Sequence, residues 1–148
     1  MLSYRHDFHA GHPADVLKHA VFVFALKHLQ RKEGGLLVLD SHAGAGLYDL
    51  TSAEAAKTGE YREGIGRLLS RGGPVPDLLA DYLTLVRARN PAGEAARYPG
   101  SPALALACRR PQDRIVLYEL HPADHAALAA LVGRQHGVTV ERQDGFQG

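Results

Sequence analysis

Between positions 14 and 32 apolar residues recur at 17, 20, 21, 24 and 25. That is the spacing of one helical face, and it predicts a helix. Pro13 stands at its start, where a first turn tolerates a missing N–H, and Gly34-Gly35 ends it. The period then changes. "LLVLD" (36–40) and "RIVLYEL" (114–120) are continuously apolar strand patterns, and "VTVERQDG" (138–145) is a third strand ending in an acid and a glycine. Continuous apolar strands belong to parallel sheets covered on both faces. "PADHAALAALVGRQ" (122–135) predicts a helix opened by Pro122, with its end near Gly137. Strand, helix and strand in this rhythm form a right-handed βαβ unit of an open, doubly wound sheet.

The stretch between the first two strands is too long for a simple crossover, which needs one helix. It holds helical patterns at about 60–70 and 77–89, the second closed by Asn90-Pro91. A further helix is expected from Pro102 to Arg110, capped by Ser101. The chain therefore divides into 1–46 (tail, helix and first strand), a helical insertion at 47–97, and 98–148, which returns to the sheet. Three strands alone would leave apolar faces and edges uncovered. The expectation is an N-terminal part of something longer, or a sheet completed by a partner. One echo stands out: "HAG" occurs at 9–11 and again at 42–44.

Bulk properties narrow the classes. A chain of 148 residues fits one domain with a real core. Formal net charge is +1 with nine histidines, so a nucleic-acid surface would have to come from arrangement rather than composition. Cys108 is alone, which excludes an internal disulfide and suits a reducing cytosol. The longest apolar run, 20–26, is too short to span a bilayer, and the first residues carry no signal-peptide core. A cytoplasmic protein without a membrane partner is expected. His6, His9 and His12 lack the cysteine or carboxylate company of a metal site, as do His121 and His125, so no metal is expected.

Ligands of open parallel sheets bind beyond the carboxyl ends of the strands. Asp40, Glu119 and Asp144 lie at those ends, beside the turn "HAGAG" (42–46). Gly44 and Gly46 would let a backbone approach a ligand closely. No Lys-Ser or Lys-Thr follows, which disfavours a nucleoside triphosphate. The third glycine of a dinucleotide fingerprint would fall at Asp49, whose carboxylate repels a pyrophosphate. A nucleoside with a zwitterionic tail, S-adenosylmethionine, is the leading reading. Glu119 would accept the ribose hydroxyls, Asp144 the adenine amine, and Lys18 and His19 would meet the amino-acid carboxylate. A nicotinamide dinucleotide, or a turn that only connects elements, stays open on pattern alone.

"MLSYRHDFHAGHPADVLKH", "LDSHAGAGLYDL", "TGEYREGI", "YPGSP", "ELHP" and "DGF" in this order closely resemble the ribosomal RNA large subunit methyltransferase J family, over the whole chain. The resemblance implies a 23S rRNA adenine-N6-methyltransferase, α/β in class, with a Rossmann-like class I methyltransferase sheet and a small helical insertion after the first strand. It implies S-adenosyl-L-methionine as cofactor and 23S ribosomal RNA as partner, and a monomer is expected. Lys18 and His19 resemble the segment that closes over the methionine end of the donor. His42, Gly44 and Gly46 resemble the donor-binding turn, and Ser101 resembles another donor contact. Glu119 resembles the ribose acid, and Asp144 with Gly145 the adenine site. Tyr4 and His6 fall in a tail that lies near the substrate adenine.

The chain departs from the family in one respect. N6-adenine methyltransferases carry an Asp-Pro-Pro-Tyr type motif, and none occurs in these residues. The catalytic aspartate is therefore expected beyond Gly148, and this chain alone is expected to hold the donor without activity. DNA adenine-N6 methylation and a non-catalytic RNA-binding module are the alternatives. For the latter, Lys57, Arg62, Arg67, Arg71, Arg87, Arg89 and Arg97 would contact the backbone, diluted by nearby acids.

Overall fold

The computed structural model describes residues 6–147. Its helices and strands, in chain order, are α1 (Pro13–Leu29), β1 (Leu37–Asp40), β2 (Leu47–Asp49), α2 (Ala53–Thr58), α3 (Ile65–Ser70), α4 (Asp77–Ala88), β3 (Arg97–Pro99), α5 (Ser101–Cys108), β4 (Arg114–Tyr118), α6 (Pro122–Val132) and β5 (Val138–Glu141). They fall into two compact units. One joins the chain up to Phe24 with Tyr48–Tyr98, and the other joins Ala25–Leu47 with the chain from Pro99 onward.

The second unit holds the parallel sheet, in the order β1-β4-β5. Its register aligns Val38 with Ile115 and Ile115 with Val138 in one row, then Asp40 with Leu117 and Leu117 with Val140 in the next. Ile115 and Leu117 are fully buried, and α5 packs on β1 and β4. α5 is apolar nearly all round, and Pro102–Ala105 and Cys108 are buried in it. Such a helix is stable only when enclosed, and α6 supplies the other contact. One face of the strands is covered, and the other is left open, as expected for three strands alone. Leu37 and Leu39 alternate to the far side of β1 and are 63% and 54% exposed.

One charged pair locks the starting ends of the strands. Asp113, immediately before β4, accepts the Leu36 N–H immediately before β1 at 2.9 Å. Arg110 binds the same carboxylate through Nε at 3.0 Å and Nη2 at 2.8 Å, a bidentate fork. Its remaining donors meet the carbonyls of Gln30, Lys32 and Gly34 beyond α1. The Arg110 hydrogen bonds hold the Asp113 carboxyl well below its ordinary range despite burial.

Several elements differ from the sequence reading. α1 stops at Leu29, before the glycine pair. α6 stops at Val132, where Gly133 takes a positive φ, rather than near Gly137. β5 ends at Glu141, so Asp144 lies in the following loop and not at the strand end. Ser101 does not cap α5. Gly100 holds the cap position, and the Ser101 hydroxyl donates instead to Asp40 Oδ2 at 2.5 Å.

In the first unit, the stretch expected to be helical is bracketed by β2 and β3, which pair as a two-stranded sheet. The pattern at 60–70 resolves into a 3₁₀ turn (Glu60–Arg62) and α3. Gly64, whose backbone is not helical, lies between them, and a Cβ there would strike the Gly11 carbonyl oxygen. α2 was not expected, although Ser52 caps it by accepting the Ala55 N–H at 3.2 Å. α4 follows its amphipathic pattern and buries Tyr82, Leu83 and Val86. Beyond it, Asn90 donates to the carbonyls of Val86 and Arg97 and accepts from the N–H groups of Ala96 and Arg97. All of its amide capacity ties the helix end to β3.

Gly46 offers a direct test of the sheet unit. Its φ is +82°, and a Cβ would meet Leu131 Cδ2 of α6 at 2.6 Å. Gly46→Ala should lower the unfolding free energy by about 2–4 kcal/mol, combining left-handed strain with overpacking. Gly72, with nothing within 4 Å, is the control. Gly72→Ala should change stability by less than about 1 kcal/mol in the same urea titration. Equal effects would contradict the packing described.

Candidate functional site

The turn after β1 is closed by acids and a carbonyl at the strand ends. Asp40 Oδ1 accepts the His42 N–H at 3.1 Å. The Tyr118 carbonyl accepts the Ala43 N–H at 3.0 Å. Glu119 Oε2 accepts the Gly44 N–H at 2.8 Å, and its Oε1 accepts the His121 N–H at 2.7 Å. Three successive turn N–H groups are thus occupied by the protein itself. A phosphate cradle needs such groups directed at the ligand, usually with a helix N-terminus behind them. Here the chain runs from Gly46 into β2 rather than into a helix. Geometry therefore argues against a phosphate-binding loop on stronger grounds than the charge of Asp49, which lies at the end of β2 and binds Thr51.

The glycines divide their work. Gly44 takes φ +66° and turns its N–H onto Glu119. Gly46 is required for packing against α6, not for ligand approach as the sequence suggested. The Gly46 carbonyl accepts the Gly100 N–H at 2.9 Å, which places Ser101 beside Asp40.

The loop beyond β5 meets the same turn. A Cβ on Gly145 would lie 2.0 Å from the Ser41 carbonyl oxygen, so only glycine permits this approach. Asp144 Oδ1 accepts the Phe146 N–H at 3.0 Å and fixes the bend. The Phe146 ring then packs edge-on against His42 at 4.9 Å and remains 83% exposed. His42, Gly44, Gly46, Ser101, Glu119, Asp144 and Gly145 all belong to the sheet unit. Phe146 was missed by sequence reasoning; its signal was an aromatic residue directly after the Asp-Gly pair.

The remaining candidates belong to the first unit, except Tyr4, which lies outside the described residues. Asp15 is 1% exposed and organises them. Its Oδ2 lies 2.6 Å from His6 Nε2 and accepts the Gly11 N–H at 3.1 Å. Its Oδ1 pairs with Lys18 Nζ at 3.0 Å. Burial pushes the Asp15 carboxyl up, but the His6 hydrogen bond and the nearby cationic groups prevail and hold it well below its usual range. His12 Nδ1 accepts the Asp15 N–H at 3.1 Å, a side-chain cap at the start of α1. His19 is not a surface contact. It is 2% exposed, and its Nδ1 is bonded to the Tyr98 hydroxyl at 2.7 Å. Tyr98 in turn meets the Tyr82 hydroxyl at 3.0 Å. Burial lowers the His19 pKa to about 4.

The sheet unit has acceptor capacity to spare beside the turn. The Glu119 carboxylate has about four lone-pair sites. Two accept backbone N–H groups, which leaves room for a pair of hydroxyls. An exposed aromatic ring and a second carboxylate lie beside the same turn. Among the described residues no group of three or more histidine, cysteine or acidic side chains could hold a metal ion.

A family model described as ribosomal RNA large subunit methyltransferase D, RlmJ, matches residues 33–148. The chain belongs to this family. It is 47% identical over 148 residues to ribosomal RNA large subunit methyltransferase J of Haemophilus influenzae, covering 99% of this chain and 52% of that protein. It is 46% identical over 147 residues to the Escherichia coli K12 protein of the same name, again covering 99% and 52%. The chain thus spans about half the length of the curated relatives it matches. A crystal structure of a Legionella pneumophila protein from family DUF519 superposes with a TM-score of 0.83 at 36% identity, over 94% of this chain and 51% of that one. The fold is the α/β, Rossmann-like class I methyltransferase fold that the sequence led one to expect. No helix among the described residues is long and apolar enough to cross a membrane.

Within this RlmJ-family chain, His19 gives a pH test. An unfolded histidine protonates near pH 6.5, whereas folded His19 resists protonation until about pH 4. The unfolded state therefore binds more protons between these values, and stability falls as pH falls through that window. The wild type should lose about 2–3 kcal/mol more than His19→Gln between pH 7 and pH 4.5, read by urea unfolding. Parallel losses in the two proteins would show that His19 is not buried neutral.

Proposed function

We propose that this chain carries the methyl-donor portion of an S-adenosylmethionine-dependent methyltransferase acting on the N6 amine of an adenine in 23S rRNA. The observation that carries the reading is the β1 turn. Its His42, Ala43 and Gly44 N–H groups are bonded within the protein, and Glu119 beside it keeps unused acceptor capacity. That arrangement suits a ribose rather than a phosphate. Family membership and the names of the two curated relatives support the same reaction class.

The residues fit this donor, which when bound would supply an electrophilic methyl group on a sulfonium. Glu119 holds the ribose hydroxyls. Asp144 accepts from the adenine amine, with Gly145 keeping the loop close to Ser41. His42, Gly44, Gly46 and Ser101 form and support the turn. Lys18 meets the amino-acid carboxylate. His19 acts from behind it, through its buried bond to Tyr98. His6 and Tyr4 face the substrate adenine, which must leave its stack to react. The chemistry asked of these groups is orientation and exclusion of water, since methyl transfer to an amine gains most from proximity, on the order of 7–11 kcal/mol. The aspartate that accepts hydrogen bonds from the target amine lies, on this reading, in the part of the protein matching the rest of the relatives' length. Residues 47–97 act as an insertion in the donor-binding domain, and the protein works as a monomer in the cytoplasm.

The test is methyl incorporation by the full-length protein from radiolabelled donor. Protein-free 23S rRNA should be labelled at an adenine N6, and duplex DNA should not. Labelling of DNA alone would replace the RNA reading. Labelling of neither would remove the enzyme reading.

A further inference from the structure

Asp15 has no part in the donor or substrate contacts above, yet it touches one member of each. Its Oδ2 bonds His6 at 2.6 Å and its Oδ1 pairs with Lys18 at 3.0 Å. The carboxylate is essentially buried, whereas the Lys18 side chain is 60% exposed. An exposed lysine pair by itself adds little to stability. An unpaired buried carboxylate is costly. The constraint therefore runs from the acid outward: Asp15 needs cationic and N–H partners, and in satisfying that need it fixes them. The Gly11 N–H anchors the carboxylate and the His12 cap anchors the Asp15 backbone, so the two held groups cannot drift together. His6 is further held by the Tyr48 ring, edge-on at 5.1 Å.

We propose that Asp15 is a positioning residue for methyl transfer, whose two carboxylate oxygens set Lys18 and His6 in one register. The inference rests on the reading that Lys18 meets the donor and His6 the substrate. On it, a single buried charge aligns a donor-side group with an acceptor-side group, and disturbing one is felt at the other. A plain helix-capping acid would have no such effect.

The experiment is a set of mutant cycles in the full-length protein. Donor-site affinity is read by calorimetry with S-adenosylhomocysteine, and kcat on protein-free 23S rRNA at saturating donor. Asp15→Asn keeps the shape and an acceptor for Gly11 but loses the charge. It should weaken S-adenosylhomocysteine binding about three- to tenfold, the cost of ordering one freed side chain, and it should lower kcat. In a Lys18→Met background the same change should leave binding unaltered, and in a His6→Gln background it should leave kcat unaltered. Losses that add in every background mean a structural role only and overturn the proposal. A second reading avoids changing Asp15: Lys18→Met should lower kcat at saturating donor, and His6→Gln should weaken S-adenosylhomocysteine binding without RNA. Absence of both cross-effects also overturns it. If neither Lys18→Met nor His6→Gln changes its own readout, the functional reading fails and the proposal with it. If both do and Asp15→Asn changes nothing, the proposal alone fails.

Discussion

The Glu119 carboxylate ties the turn after β1 to the entry of α6, next to the Ala43–Tyr118 backbone bond that already joins the turn to β4. One oxygen takes the Gly44 N–H from the turn after β1, and the other takes the His121 N–H at the entry to α6. This clamp sets the middle of the turn, while Ser101 on Asp40 and Gly145 on Ser41 set its flanks. The clamp takes the Gly44 donor and leaves the acid with acceptor capacity beyond these two bonds. The same device occurs in the other unit, where Asp15 takes the Gly11 N–H. Both glycines end a His-Ala-Gly triplet and both adopt positive φ. The repeated triplet in the sequence is thus a repeated backbone solution, a left-handed glycine whose N–H is satisfied by a carboxylate.

The two ends of the sheet are built for different purposes. At the starting ends, Arg110 and Asp113 satisfy one another and the neighbouring backbone, so that end is closed and structural. At the finishing ends, the acids accept only part of what they can, and an aromatic ring stays exposed. Binding capacity in an open parallel sheet collects where the strands finish. The division of hydrogen bonds here is the local expression of that rule.

Much of the sheet was legible because its signal is local. Apolar runs such as 36–40 and 114–118 point to parallel strands, and the glycine turn after the first lies where ligands of such sheets bind. Residues whose role depends on a distant partner were not legible. Ser101 reads as a helix cap, yet its hydroxyl goes to Asp40, sixty-one positions away. His19 reads as a surface ligand beside Lys18, yet helix α1 turns it inward to Tyr98. Gly46 reads as space for a ligand, yet α6 fills that space. The unit boundary within α1 carries no sequence mark at all, since the helical pattern runs through it unbroken.

The central claim is that this turn receives a nucleoside and not a phosphate. It is tested most directly by equilibrium binding of S-adenosylhomocysteine, ATP and NAD to the same protein under the same conditions. The account predicts that S-adenosylhomocysteine binds and that neither phosphate-bearing ligand competes with it, because the His42, Ala43 and Gly44 N–H groups are already bonded within the protein. Displacement of S-adenosylhomocysteine by ATP or NAD at comparable concentration would contradict it.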